Sequence, residues 1–182
     1  MSSMIRSALP GSLAATLVAV SLSGCLPAST ATAPTVDDPA PESVVVISTA
    51  DGDTFTGRDA SGAKVKVRML GIDAPEMAHS GQSAECGANA AGARLHDLIV
   101  GKTVRLIADG RSDDVDRYQR RLRYVEVDQR DVALVLISEG LVEAWYPTSE
   151  PRPERHPAYA AAQRSARDSR VGSWQTCDKL GR

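Results

Sequence analysis

An α+β fold is expected, with five strands curling into a small barrel and about three helices packed outside it. Three observations predict this. Five short segments, 43–49, 53–58, 64–70, 103–108 and 121–127, carry the alternating or continuous apolar residues of strands. A helical segment at 84–100 interrupts them, and two more helical segments follow the last strand. No repeated strand–helix–strand unit runs along the chain, so a meander closing on itself fits better than a parallel sheet.

The first strand holds Val44, Val45, Val46 and Ile47 in a nearly continuous run, and Thr54, Phe55 and Thr56 suit the pleated surface of the second. "RDASGAK" with Gly62 reads as the turn of a hairpin into the third strand. That strand alternates, with Val65, Val67 and Met69 on one face and Lys64, Lys66 and Arg68 on the other, so its polar face is cationic. Leu95, Leu98 and Ile99 give the 84–100 helix an apolar end before Gly101, while Gly87 and Gly92 weaken it. Val104, Leu106 and Ala108 are in phase in the fourth strand, and "DGRSDDVDRYQ" is a polar loop leading to the fifth. Asp131 can cap a short helix through Val132, Val135 and Leu136 that closes at Gly140. The segment 157–170 forms the last helix, with Pro157 at its start and Gly172 after it. Five strands of this length, with helices outside, point to an OB-type barrel.

The 182-residue chain holds one such domain and an appendage. Residues 1–24 read as a signal peptide, with an apolar, small-residue run at 9–22 too short to span a bilayer comfortably. The run ends in Leu22-Ser23-Gly24-Cys25, which resembles a bacterial lipobox. That resemblance implies lipidation of Cys25 and an anchor on the outer face of the bacterial cytoplasmic membrane, or another extracytoplasmic destination. Residues 25–42, rich in Pro, Ala and Thr, are then a flexible tether, and 43–182 the folded domain. The first 42 residues hold one Arg and three acids, which leaves 20 basic and 20 acidic residues in the domain. Bulk charge therefore gives nucleic-acid binding no support, and phosphate recognition must come from placed cations. With Cys25 lipidated, an exported protein retains Cys86 and Cys177, expected to pair as a disulfide.

The chemistry centres on "VRMLGIDAPE", residues 67–76. Asp53 stands where the second strand begins and Asp73 in the turn after the third. If those strands pair as a hairpin, the two carboxylates meet. Two carboxylates with no His or Cys beside them favour a hard cation, Ca²⁺ or Mg²⁺. Arg68 reaches the same end from the cationic face, and Glu76 can stay off the metal and handle a water. A metal, an arginine and a free carboxylate suit phosphoryl chemistry. A second cationic cluster, Arg117, Arg120, Arg121 and Arg123 with Tyr118 and Tyr124, enters the fifth strand.

"DGDT", "VRMLGIDAPE", "DRYQRRLRY", "ALVLISEGLVEAWY" and "YAAAQRSARDSRVGSW" follow one another in an order and spacing that resembles the staphylococcal nuclease (thermonuclease) family over nearly all of 43–178. The resemblance implies a five-stranded OB barrel with three helices and a Ca²⁺-dependent endonuclease, a phosphodiesterase acting on DNA and RNA, here expected as a monomer. It implies Asp53, Asp73 and the backbone carbonyl of Ala74 as metal ligands, and Arg68, Glu76 and Arg120 as catalytic residues. Arg117 and Tyr118 match the positions that hold a terminal phosphate, and Tyr146 one whose ring packs on a base. Gln119 and Arg121 depart from the small residues common beside Arg120, and the loop "MAHSGQ" lacks the lysines of the best-known member.

"VVVISTADGDTF" also resembles the strand-end D-x-D of haloacid-dehalogenase-type phosphatases, but the strand-rich first half and scarce lysines oppose that reading. The rival that remains is a non-catalytic OB-type module binding nucleic acid or protein on a lipid anchor. Retention of Arg68, Glu76 and Arg120 favours catalysis. His79, His96 and His156 lack zinc-ligand spacing, and Trp145 and Trp174 read as packing anchors.

Overall fold

A computed structural model describes residues 42–181. The signal peptide, most of the tether and Cys25 lie outside the described residues. In chain order the elements are β1 (Glu42–Thr49), β2 (Thr54–Arg58), β3 (Lys64–Met69), β4 (Ile72–Asp73), α1 (Ala88–Ile99), β5 (Thr103–Ile107), β6 (Arg121–Val127), β7 (Arg130–Asp131), α2 (Val132–Ser138), β8 (Glu143–Ala144) and α3 (His156–Asp168). A 3₁₀ turn over Gly172–Gln175 follows.

The five long strands form a closed barrel. Antiparallel pairing runs β3 to β2, β2 to β1, β1 to β5 and β5 to β6. Closure comes from a parallel pairing of β3 with β6, in which Val67, Arg68 and Met69 face Arg121, Leu122 and Arg123. The inward positions of the strands, among them Val44, Val46, Phe55, Val67, Leu106 and Val125, form one core. Leu95 and Ile99 of α1 and Leu136 and Ile137 of α2 join it from outside, each fully buried. Burying an apolar side chain of this size contributes about 1.5–3 kcal/mol, so the helices are held by their apolar faces rather than by propensity.

Most expected boundaries hold to within a residue or two. β1 begins at Glu42, the last residue assigned to the tether, because the Glu42 carboxylate pairs with Arg121 of β6. α1 begins at Ala88 instead of 84: Gly87 has φ +88°, which no helix continues through. The Asp131 side chain accepts the Leu134 N–H and caps α2 as expected. The two-residue strands β4 and β8 pair with each other, Ile72 with Ala144 and Asp73 with Glu143. Neither carries a sequence pattern long enough to read. Among the described residues, no helix is long and apolar enough to cross a membrane.

Cys86 and Cys177 are bonded, with Cα atoms 5.8 Å apart and a sequence separation of 91. The bond joins the turn before α1 to the segment after the 3₁₀ turn. There Trp174, Cys177 and Leu180 form a second small core with Ala166 of α3.

Candidate active site

The hairpin register does what the carboxylate spacing requires. Thr54 faces Arg68 across β2 and β3, so Asp53 lies level with the end of β3. Asp51 shapes the approach: its Oδ1 accepts the N–H of Asp53 at 2.9 Å and of Thr54 at 2.7 Å, an Asx turn that fixes the backbone on either side. Gly52 is required between the two aspartates. A Cβ there would lie 2.7 Å from Ala91 Cβ and 2.8 Å from Ala74 Cβ, so only glycine lets α1 and the Asp73 turn close on this segment.

Arg68 is the centre of the site and is itself buried, unlike Lys64 and Lys66, its neighbours on the expected cationic face. Its Nη2 lies 3.0 Å from Asp53 Oδ2 and 3.0 Å from Asp73 Oδ1. Its Nη1 donates to the carbonyls of Met69 at 2.6 Å and Ile72 at 2.8 Å. The turn after β3 thus wraps around the guanidinium, because two backbone carbonyls find their donor there. Asp53 Oδ2 also accepts the Ala74 N–H at 2.8 Å, which ties the two aspartate segments directly.

Burial pushes the Asp53 carboxyl up to about 7, with Arg68 opposing the shift and neighbouring Asp51 adding to it. Asp51, Asp53 and Asp73 thus share this end of the barrel with one closely placed guanidinium. Excess negative charge on hard oxygen donors is a setting that a divalent cation would relieve. Among the described residues no group of three or more His, Cys, Asp or Glu side chains forms a metal cage. The carboxylate oxygens of Asp53 and Asp73 are hard donors of the kind that Ca²⁺ takes.

The second cationic cluster divides. Arg120 turns toward the site: its Nη1 donates to Thr54 Oγ1 at 3.3 Å, and Thr54 Oγ1 donates to Asp53 Oδ1 at 3.0 Å. Asp116 holds Arg120 by its Nε at 2.7 Å and Nη2 at 2.7 Å, and its Oδ1 accepts the Arg120 and Tyr118 N–H groups. Arg117 and Arg120 both lie over the Tyr118 ring, at 4.8 and 5.3 Å from its centroid. Arg121 and Arg123 instead point to Glu42 and Asp114, Arg123 Nη2 reaching Asp114 Oδ1 at 2.6 Å. These two are taken by strand-end ion pairs.

A cleft of about 440 Å³ opens beside this constellation, and Arg68, Arg117, Tyr118, Arg120, Trp145 and Tyr146 contribute to its lining. Trp145, read from sequence as a packing anchor, is half-buried in the cleft wall, and its backbone N–H donates to the Gly71 carbonyl at 2.9 Å. Tyr146 packs edge-on against His156, with centroids 4.6 Å apart. Glu76, three residues past Asp73, is half-buried at the start of a loop. The loop is stapled at its base: the Glu76 N–H donates to Glu85 Oε2 at 2.9 Å, and the Glu85 N–H to the Glu76 carbonyl at 2.9 Å.

Asp51, Thr54 and Asp116 escaped the sequence reading as positioning groups. Signals for them existed: an Asp two residues before a β-strand aspartate invites an Asx turn, and Asp116 precedes Arg120 by four.

A family model described as "Staphylococcal nuclease homologue" matches residues 66–176, more than half of the chain. An "Uncharacterized endonuclease" of Haemophilus influenzae is 32% identical over 130 residues, covering 71% of this chain and 64% of its own. A "Probable endonuclease" of Pyrenophora tritici-repentis is 32% identical over 127 residues, covering 64% of this chain and 43% of its own. The chain therefore spans less than two thirds of the length of these two relatives. A "Thermonuclease" of Staphylococcus intermedius is 29% identical over 135 residues, covering 74% of this chain and 77% of its own. The barrel, its three helices and the match across β3 to the 3₁₀ turn agree, and the chain belongs to the staphylococcal nuclease homologue family.

Proposed function

We propose that residues 43–182 form a nuclease, a Ca²⁺-dependent phosphodiesterase that hydrolyses DNA and RNA outside the cytoplasm. The observation that carries this reading is the Arg68 guanidinium, 3.0 Å from the carboxylates of both Asp53 and Asp73 beside a cleft that also holds Arg120. The endonuclease and thermonuclease names of the relatives support it.

Asp53, Asp73 and the Ala74 carbonyl are assigned to Ca²⁺, which when bound polarises a phosphodiester and offsets its developing charge. Arg68 and Arg120 meet the non-bridging oxygens, each through a planar fork that matches two oxygens at once. Glu76 orients the attacking water and takes its proton. Arg117 and Tyr118 receive a terminal phosphate, and Tyr146 packs on a base. Lipidation of Cys25 anchors the monomer by its tether, with 1–24 removed.

The binding-module reading shares the barrel and cleft but needs no turnover. Incubating the protein with single-stranded DNA, double-stranded DNA and RNA, in Ca²⁺ or in chelator, separates the two. Cleavage that stops in chelator and in Asp53→Ala supports the proposal. Retained binding without cleavage in Ca²⁺ supports the module.

A further inference from the structure

Beyond the 3₁₀ turn the chain folds back onto the site. Cys177 is bonded to Cys86, Leu180 is fully buried, and the Leu180 N–H donates to Glu143 Oε1 at 2.7 Å. Gly181, also buried, lies against the aspartate: a Cβ there would stand 2.8 Å from Asp73 Oδ2. Glu143 and Asp73 face each other in the β4–β8 pair, so their side chains leave the same face of that pair. Like charges directly opposite repel unless something engages each of them. Here Arg68 engages Asp73, and the amide of Leu180 engages Glu143.

We infer that the segment 177–181 is a positioning element for Asp73, and that Glu143 is the residue fastening it there. The inference rests on the reading of Asp73 as a Ca²⁺ ligand. Arg68 holds Oδ1 at 3.0 Å from one side and Gly181 abuts Oδ2 from the other, so the carboxylate has little freedom to turn. A ligand held in one rotamer loses less entropy when a cation binds. Gly181 has φ +109°, where a side chain is strained and would drive into Asp73. Glycine is thus what lets the tail approach the carboxylate so closely.

The experiment compares the full chain with Glu143→Ala, Glu143→Gln and Gly181→Val. Glu143→Ala removes the acceptor that anchors Leu180. Glu143→Gln keeps an acceptor oxygen and should stay close to the parent. Gly181→Val pushes on Asp73 with Glu143 intact, and repeats the test should Glu143→Ala not fold. Ca²⁺ affinity is measured by calorimetry, and hydrogen exchange is followed at the Ala74 amide, which bonds to Asp53 Oδ2. In Glu143→Ala and Gly181→Val, Ca²⁺ affinity should weaken about tenfold and Ala74 exchange should quicken by a similar factor. The Ca²⁺ concentration giving half-maximal DNA cleavage should rise in parallel, with kcat at saturating Ca²⁺ within about twofold of the parent. Folded variants with parental Ca²⁺ affinity and parental Ala74 exchange would overturn the inference. Should the parent itself bind no Ca²⁺, the ligand reading of Asp73 falls, and Ala74 exchange still decides the tail's role: faster exchange supports it, unchanged exchange overturns it.

Discussion

Arg120 spends two of its three guanidinium nitrogens on Asp116 and turns the third toward Thr54, so its plane is fixed before any substrate arrives. An ammonium could keep the charge at that position but not the planar fork. Arg120→Lys should therefore lower kcat by about 10²-fold or more, with weaker effects on binding of a non-hydrolysable nucleotide, because the contact is made mainly in the transition state. Glu76→Gln should likewise cut turnover while leaving Ca²⁺ binding in place. Circular dichroism must show both variants folded; parental rates in both would return the choice to the binding module. Next to Arg120, Gln119 sits at φ +61°, a left-handed conformation that asparagine tolerates better than glutamine. Gln119→Asn should raise stability modestly, read as a higher midpoint in urea.

At the scale of elements, one network fastens α3 to the barrel. Arg155 donates to Asp131 Oδ2 at 2.7 Å and Glu126 Oε1 at 2.8 Å, and its guanidinium lies 4.5 Å from the Tyr124 ring centroid. Tyr159 donates to the same Asp131 oxygen at 2.7 Å. Asp131 thereby joins the α2 cap to α3. Arg155→Ala leaves two half-buried carboxylates short of a partner and should cost about 2–4 kcal/mol, measured by denaturant unfolding. The same network sets an acid limit. Burial alone would raise Glu126, but hydrogen bonds from Arg105 and Arg155 outweigh it and hold the group below its ordinary 4.5. Asp109 is held below 3.8 in the same way: burial raises it, and the Tyr124 hydroxyl and two backbone N–H groups outweigh that. A carboxyl lowered by folding contributes stability above its unfolded value, and that contribution is lost as pH falls through the folded one. Thermal stability should thus be flat above about pH 4.5 on account of these groups and fall below it. In Arg155→Ala the Glu126 carboxyl is lowered less by folding, so the fall below about pH 4.5 should be shallower.

For the whole molecule, the Cys86–Cys177 bond closes a loop of about 90 residues around two of the five barrel strands, β5 and β6, and the helices α1, α2 and α3. In the chain-entropy account such a crosslink is worth on the order of 4–5 kcal/mol, less any strain in the folded state. Replacing both cysteines by serine should therefore lower stability by about 2–5 kcal/mol, seen as a fall in Tm that reducing agent reproduces in the parent and not in the variant. The barrel core does not depend on the bond, so near-native circular dichroism should remain at low temperature.

Local chemistry determined much of this protein. Alternation of Val65, Val67 and Met69, the Gly62 turn and the Asp131 cap act within a few residues, so strands, hairpin and short helix are legible along the chain. The pairing of Asp53 with Asp73 is legible for the same reason: a hairpin register is set by its own turn. The cysteine pair was legible from counting thiols, on the expectation that the chain is exported and Cys25 lipidated. Contacts between segments far apart in sequence are another matter. The parallel closure of β3 on β6, the two-residue strands β4 and β8, and the burial of Arg68 each depend on a partner that the local sequence does not specify. So does the division of four neighbouring arginines, two to the cleft and two to Glu42 and Asp114. Strand alternation says which face an arginine leaves from, but its long side chain ends wherever a carboxylate awaits, and only the assembled barrel places those carboxylates. The tail on Asp73 was decided at the same level, because Leu180 and Gly181 find Glu143 and Asp73 only once β4, β8 and the disulfide have brought them together.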